Sequence, residues 1–249
     1  MLRPPVETTR VQGRLAAVLA LICGYIDAYT LLNYKVYASF MSGNTTQTGL
    51  GAGQGKLADA GHHFLPIPLF VIGVFIGTYL LKSRLRRPLR RLWGLVAALL
   101  AAGLAAAFLD TLPGWFSIIL LSLAMGIMNT TITHVGGQPV SLGFVTGDLN
   151  NISRHLAQAV RGEPLSDSQG SWDTHWWRAA VLAGVWGSFL LGALLAGAGM
   201  AHFGAWILLP PTLILLALAV FERESRVTGK AVAASHGSGA TGAAQTSPS

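Results

Sequence analysis

Six apolar runs divide the chain, and each is close to the roughly 20 residues that a helix needs to cross the hydrocarbon core of a bilayer. The runs are Leu15–Leu32, Phe64–Leu81, Leu92–Leu109, Trp115–Ile132, Ala179–Met200 and Phe203–Phe221. This pattern predicts an all-α membrane protein with six transmembrane helices.

Composition supports the same prediction. Of the 249 residues, 52% are hydrophobic and only 11% are charged, whereas about a quarter of a soluble domain is charged. The first run could instead be a signal peptide, since Arg3, Arg10 and Arg14 precede it. Asp27 within that run, and a partial copy of the run later in the chain, favour a retained span.

The basic residues lie almost entirely on one side of the predicted spans. Of the 17 lysines and arginines, only Lys35 and Lys56 fall on the other side. The positive-inside bias therefore places both termini in the cytoplasm and supports an even number of crossings. It also explains the net charge of +7 without nucleic acid. The cluster from Lys82 to Arg91 is expected to act as a stop signal, with attraction to lipid head groups as an alternative.

A short motif occurs twice. FMSGN at Phe40–Asn44 is followed about a hundred residues later by FVTGD at Phe144–Asp148. The segments before them also match, as GYIDA at Gly24–Ala28 and GIMNT at Gly126–Thr130. Asp27 and Asn129 therefore occupy equivalent positions. A looser match pairs GVFIG (Gly73–Gly77) with GVWGS (Gly184–Ser188), both of which are small-residue patterns that let helix backbones approach closely.

The repeat predicts a single transmembrane domain over residues 1–226, made of half one (about 12–111) and half two (about 114–222). Each half holds three crossings, so the second half enters the membrane from the opposite side and the repeats are inverted. Glycine-broken or re-entrant segments are expected after helices 1 and 4. Residues 227–249 are rich in Gly, Ala, Ser and Thr and are predicted to be a disordered cytoplasmic tail.

These motif blocks also carry a resemblance. GYIDAYTLL…FMSGNTTQTGL, followed by GIMNTTITHVGGQPVSLGFVTGDLNNISRHL, is similar to the YoaK-like family of bacterial membrane proteins, a domain of unknown function. The resemblance runs from about Leu15 to Phe221. It implies a six-helix inner-membrane protein of a family sometimes described as transporters of small molecules, and it supplies no established substrate or catalytic residue.

Polar residues at the two motifs form the predicted binding site. A carboxylate within a span is costly unless it is paired or hydrated, so Asp27 is the leading candidate. Its alternative role is a paired aspartate that holds the bundle together. The predicted solute- or ion-binding residues are Asp27, Ser42, Gly43, Asn44, Thr45, Asn129, Thr146, Gly147 and Asp148.

Glycine at 43 and 147 would permit a helix break, and Ser42 or Thr146 could cap the helix that follows. The freed backbone groups could then bind a ligand. The alternative is that both motifs are the N-caps of ordinary interfacial helices, Asn44–Gly51 and Asp148–Val160.

Other motifs are weaker. GLGAGQGK at Gly49–Lys56 lacks the spacing of a phosphate-binding loop, and scattered histidines such as His134, His155 and His175 do not indicate a metal site. We expect no enzyme activity and no cofactor, since no nucleophile–base pair is visible. The predicted function is transport of a small polar solute or ion at the repeat interface. The alternative is a membrane scaffold or regulatory protein without transport activity. The expected partners are the lipid bilayer and that solute or ion, without nucleic acid.

Overall fold

A computed structural model describes residues 5–83, 86–109, 111–143 and 145–221, with side chains from residue 8 onwards. The described residues are mostly helical (77%). Its elements are α1 (Pro5–Tyr34), α2 (Met41–Gly53), α3 (Leu57–Phe64), α4 (Pro66–Lys82), α5 (Pro88–Ala106), α6 (Gly114–Met128), β1 (His134–Val135), β2 (Gln138–Pro139), α7 (Val145–Val160), α8 (His175–Phe203), a 3₁₀ turn (Gly204–Leu208) and α9 (Leu209–Phe221). The predicted tail 227–249 and Phe144 of the second motif lie outside the described residues.

Four helical segments are long and apolar enough to cross a membrane. They are Thr8–Tyr34, Leu57–Lys82, Pro88–Ala106 and His175–Phe221, and the shorter Gly114–Met128 is also apolar. The last long segment changes direction at Gly204, whose φ of 51° and ψ of −132° end α8 before α9 begins. A glycine is needed there because side chains rarely tolerate a positive φ. The structure therefore supports a helical membrane protein.

The fourth apolar run behaves differently from the prediction. Trp115–Ile132 was predicted to be helical throughout, but α6 ends at Met128. The hydroxyls of Thr130 and Thr131 donate to the carbonyls of Ile127 and Met128, at 2.8 and 2.7 Å, and these bonds close the helix end. Such local bonds compete with helix continuation.

A two-stranded antiparallel hairpin follows α6 and turns at Gly136, whose φ is 59°. The prediction of an all-α fold omitted it. Gln12 of α1 accepts a hydrogen bond from the backbone N–H of Gly136 at 2.9 Å. This contact over a large sequence separation, together with the turn, holds the two short strands beside the start of α1.

Two helix pairs cross with their backbones in direct contact. Helix α1 runs parallel to α8, and a Cβ added at Gly24 would overlap the carbonyl oxygen of Phe189. Helix α6 runs parallel to α4, and a Cβ added at Gly126 would overlap the carbonyl oxygen of Phe70. Only glycine allows the two backbones to come this close, and the close approach increases the dispersion attraction between the helices.

The partner helices also carry glycines at the crossings. A Cβ at Gly192 of α8 would overlap the oxygen of Leu21, and one at Gly73 of α4 would overlap the oxygen of Leu123. The predicted pairing of Gly73–Gly77 with Gly184–Ser188 was therefore wrong. Added Cβ atoms at Gly184 and Gly187 would have no atom within 4 Å, whereas Gly192 makes the contact that corresponds to that of Gly73.

Helices α5 and α9 pack against each other in antiparallel directions. The end of α5 lies near the 3₁₀ turn, where the rings of Phe108 and Trp206 are 4.9 Å apart. The start of α5 lies near the end of α9, where Arg90 and Val220 line one groove. The central core is apolar and lies mainly between α1, α5, α6 and α8.

Candidate functional site

The segment after α1 folds back along that helix. Lys35 has a φ of 60°, which reverses the chain after Tyr34. Ser39 then reaches Asp27, seven residues before the end of α1, or about 10 Å along the axis at 1.5 Å per residue. Helix α2 therefore begins beside the interior of α1 rather than beside its end.

Asp27 anchors this returning segment. The backbone N–H and the hydroxyl of Ser39 donate to its two carboxylate oxygens, both at 2.7 Å. Asp27 is only 3% exposed and Ser39 only 5%. Both oxygens of a buried carboxylate are thus bonded, which is what burial of such a group requires. The same contacts place Ser39 directly before the first turn of α2.

Asn44 fixes the returning segment from the other side. Its Oδ1 accepts from the backbone N–H of Tyr37 at 3.0 Å, and its Nδ2 donates to the carbonyl of Tyr37 at 2.7 Å. The prediction that Ser42 caps the helix was wrong: α2 begins at Met41, its N-cap is Phe40, and no side chain caps it. The side-chain amide of Asn44, in the first turn of α2, therefore holds the backbone at Tyr37 against the start of that helix.

The second motif has a matching arrangement. Asp148 is buried, and a backbone hydrogen bond from Ser141 reaches its carboxylate. The separation of seven residues is the same as that between Tyr37 and Asn44. Thr146 and Gly147 lie in the first turn of α7, which starts at Val145 and not at the predicted Asp148. Thr146 is exposed and Gly147 is half-buried.

The two returning segments meet each other. A Cβ added at Gly143 would lie 3.0 Å from the hydroxyl oxygen of Ser39 and 3.3 Å from its Cβ. Both residues stand four positions before the glycine of their motifs, Gly43 and Gly147. The residues directly before the two motifs, Ser39 and Gly143, are therefore in contact, and Asp27 is hydrogen-bonded to Ser39.

Asn129 occupies a different local setting from Asp27. Asp27 lies inside α1, whereas Asn129 is the half-buried residue at which α6 ends. Their sequence contexts match, but the two side chains are not in the same kind of position. Only Asp27 is held within a continuous helix.

A shallow groove of about 260 Å³ opens at the start of α2. Its lining residues are Tyr37, Phe40, Ser42, Gly43, Thr46 and Gln47. A Cβ at Gly43 would lie 2.6 Å from the Phe40 ring, so glycine is required for this ring to pack. The hydroxyl of Thr45 donates to the carbonyl of Met41 at 2.8 Å. The groove thus combines aromatic rings with exposed hydroxyl and amide groups.

Sequence reasoning missed a buried pair of histidines. The Nδ1 atoms of His155 on α7 and His175 on α8 are 2.8 Å apart, and the Nε2 of His155 is 2.7 Å from the Oε1 of Gln138. The Nε2 of Gln138 donates to the carbonyl of Pro139 at 2.9 Å, which leaves its Oε1 as the acceptor for His155. These contacts connect the hairpin, α7 and α8.

An ion-pair cluster extends this connection. The guanidinium of Arg178 donates to both oxygens of Asp173, each at 2.9 Å, and to the Asp167 carboxylate at 3.0 and 3.1 Å. Arg178 and Asp173 are buried. No spacing in the sequence pointed to the histidine pair, because its partners lie on separate elements, and the ion-pair cluster joins Arg178 to two aspartates of the loop before α8.

Acidification is expected to weaken the histidine connection. Burial lowers the pKa of His155, and the nearby His175 and Arg178 lower it further. The folded state therefore binds a proton less tightly than the unfolded state, whose histidine titrates near 6.5. Stability should be fully present above about pH 6.5 and decline as pH falls, by at most about 1.4 kcal/mol per pH unit for one proton.

Melting temperatures in detergent would measure this decline. The measurements should run from about pH 7.5 to about pH 5.5, a range centred on the pKa of roughly 6.5 of an unperturbed histidine. His155→Gln should flatten the slope, because glutamine does not titrate. His202→Gln, at an exposed position on α8, is the control and should leave the slope unchanged. An equal slope in His155→Gln and the unmodified protein would contradict the expectation.

Apolar helices that cross through glycine contacts, with polar segments folded back between them, define a helical multi-pass membrane protein. The family model described as "Protein of unknown function (DUF1275)" matches residues 15–221. The chain belongs to this family, which confirms the predicted membership of an uncharacterised membrane-protein family. A UPF0700 transmembrane protein of Rhizobium meliloti (strain 1021) is 30% identical over 214 residues, 85% of this chain and 87% of that protein. No solved structure matches the chain.

Proposed function

We propose that the chain crosses the bacterial inner membrane six times, as two inverted three-helix repeats. The glycine crossings support this proposal: Gly24 lies on Phe189 and Gly126 lies on Phe70, and each crossing has a second glycine three residues after that phenylalanine. The helix directions also agree with six crossings that alternate in direction. The parallel pairs, α1 with α8 and α4 with α6, would be crossings one and five and crossings two and four. The antiparallel pair, α5 with α9, would be crossings three and six. In this arrangement α2 and α7 are re-entrant helices that enter from opposite sides.

The function that this arrangement supports best is transport of a small polar solute or ion. The carrying observation is the contact between Ser39 and Gly143 beside the buried carboxylate of Asp27. Re-entrant segments that meet between inverted repeats are where many secondary transporters hold their substrate. A groove lined in part by Ser42, Gly43 and Thr46 lies at the start of α2, the helix that follows Ser39.

A second candidate is a membrane scaffold without transport activity. It is favoured by the packing around Asp27, whose two oxygens are both bonded to Ser39 while the residue is almost fully buried. In a transporter, the bonds between Asp27 and Ser39 would have to open during the transport cycle. The two candidates differ in whether Asp27 must change its charge during a cycle.

Reconstituted protein should distinguish them. We expect proteoliposomes that contain the unmodified chain to give currents on a solid-supported membrane. The driving force is a pH gradient, and the solutes tested are amino acids, organic acids, sugars and small cations. Asp27→Asn should lower the gradient-driven current about tenfold or more, because the ionisable group is removed from the junction. Ser188→Ala is the control, since the Ser188 hydroxyl donates to the carbonyl of Gly184 on the same helix, α8. Folded protein that gives no current with any solute would favour the scaffold.

The orientation is tested by cysteine labelling. With Cys23 replaced by alanine, Lys56→Cys should react with an impermeant maleimide from the periplasmic side, and Arg86→Cys should react only from the cytoplasmic side. The expectation follows from the one-sided distribution of basic residues. Both positions are exposed, and they avoid Gly55 (φ 75°) and Arg87 (φ 55°), where a positive φ would strain a cysteine. The reverse pattern would overturn the orientation.

A further inference from the structure

A second groove, of about 460 Å³, lies between the start of α5 and the end of α9. One part of its lining is strongly basic and the other is apolar. The basic residues are Arg86, Arg87, Arg90 and Arg91, and the others are Gly94, Leu216, Ala219 and Val220. We propose that this groove binds an anionic phospholipid, with its phosphate on the arginines and an acyl chain along the apolar wall.

The arginines are placed where an anion would stabilise them. Arg90 and Arg91 lie in the first turn of α5, which contains no acidic residue. The start of a helix carries a partial positive charge, so two cations there are unfavourable unless an anion neutralises them. Arg86, Arg90 and Arg91 are exposed. In the part of the chain that the structure describes, no carboxylate forms an ion pair with any of these three.

Guanidinium groups suit a phosphate in particular. Their planar donors can form two parallel hydrogen bonds to one phosphate group, and they lose less hydration than an ammonium group does. Side chains at the end of a membrane helix can also extend towards the head-group layer while their stems cover apolar surface. The basic end of this groove therefore fits a phosphodiester at the membrane boundary.

The apolar wall favours a lipid over a free phosphate. Leu216 is 48% exposed and Val220 is 55% exposed on α9, next to the arginines. A free phosphate would leave this surface uncovered, whereas an acyl chain would cover it and follow α9 into the bilayer. Gly94 adds room on the α5 side, because a Cβ added there would have no atom of the described residues within 4 Å. Basic pockets between helices on the cytoplasmic side are known to select anionic head groups.

Lipid binding to the purified full chain in detergent tests the proposal, with native mass spectrometry as the readout. The probes are phosphatidylglycerol, phosphatidylcholine and inorganic phosphate. Phosphatidylglycerol should bind about tenfold or more tightly than phosphatidylcholine, because only the former adds a net negative charge to the guanidinium contacts. The combined variant Arg86→Gln, Arg90→Gln and Arg91→Gln should remove this preference. Arg87 is left unchanged because its backbone conformation is unusual.

A matched control removes the same charge elsewhere. Arg10→Gln, Arg14→Gln and Arg154→Gln together change three exposed arginines that do not line the groove. This control should keep the affinity for phosphatidylglycerol within about twofold of the unmodified chain, because none of its three charges lines the groove. An equal loss in both triple variants would mean diffuse attraction to the protein's charge and would overturn the site.

Gly94→Leu tests the apolar wall while all arginines are kept. The added side chain has room on the surface of α5 and improves helix propensity, so the protein should stay folded. It should occupy the acyl position and weaken phosphatidylglycerol binding about fivefold or more. Unchanged binding in Gly94→Leu would overturn the proposal, even if the arginine variant fails to fold. Inorganic phosphate that competes fully with the lipid at millimolar concentration would also overturn it, in favour of a phosphate site.

Discussion

Gly24→Ala is expected to prevent stable folding, with a loss of more than about 3 kcal/mol. A single methyl group at this position would overlap the carbonyl oxygen of Phe189. Neither partner can move cheaply, because both are backbone atoms within long helices. Separating α1 from α8 would break the contact through which the two helices pack around the buried core. Inserted yield and the melting temperature of the purified protein in detergent would measure the effect.

Glycine-to-alanine substitutions at two other kinds of position provide the comparison: one at the second helix crossing, and one where the added methyl group has no close neighbour. Gly126→Ala should destabilise the contact of α6 with α4 in the same way, because its Cβ would overlap the oxygen of Phe70. Gly184→Ala should be neutral or stabilise α8 by up to about 1 kcal/mol, since nothing lies near its added Cβ. Equal stability of Gly24→Ala and Gly184→Ala would show that the crossings are not in close contact.

Asp27→Ala is expected to lower stability by about 3 kcal/mol, because it removes two hydrogen bonds to a buried carboxylate. The backbone N–H of Ser39 would then be buried without an acceptor, and the segment before α2 would lose its attachment to α1. Melting temperature in detergent is the measurement, together with protease sensitivity of the segment around Tyr37. That segment should become the first site of cleavage.

Asp27→Asn should recover most of this loss. Its amide oxygen can accept from the Ser39 N–H, and its amide nitrogen can face the Ser39 hydroxyl, which can then accept a hydrogen bond. Ser39→Ala removes only the hydroxyl contact and should cost about 1 kcal/mol. If Asp27→Asn were as unstable as Asp27→Ala, the negative charge itself would be needed for folding. The current measurement on Asp27→Asn would then report misfolding rather than loss of an ionisable group.

The periodic features of the fold were predictable because they depend on neighbours along the chain. Long apolar runs predict helices of membrane-spanning length, and the structure has such helices at Thr8–Tyr34, Leu57–Lys82, Pro88–Ala106 and His175–Phe221. The paired motifs around Gly43 and Gly147 were also visible in the sequence. Their local roles were not, because Ser42 has the chemistry of an N-cap while the helix already starts at Met41.

The sequence by itself determined that this is a helical membrane protein in which a polar motif occurs twice. These features follow from the hydrophobicity and residue types of each segment taken alone. Only the tertiary structure decided which polar groups meet. Ser39, which was not among the predicted site residues, binds Asp27 and contacts Gly143, and His155 contacts His175. These contacts depend on how helices cross, and the crossings depend on glycines whose partners, such as Phe189 for Gly24, lie far away in sequence. No local pattern encodes that pairing.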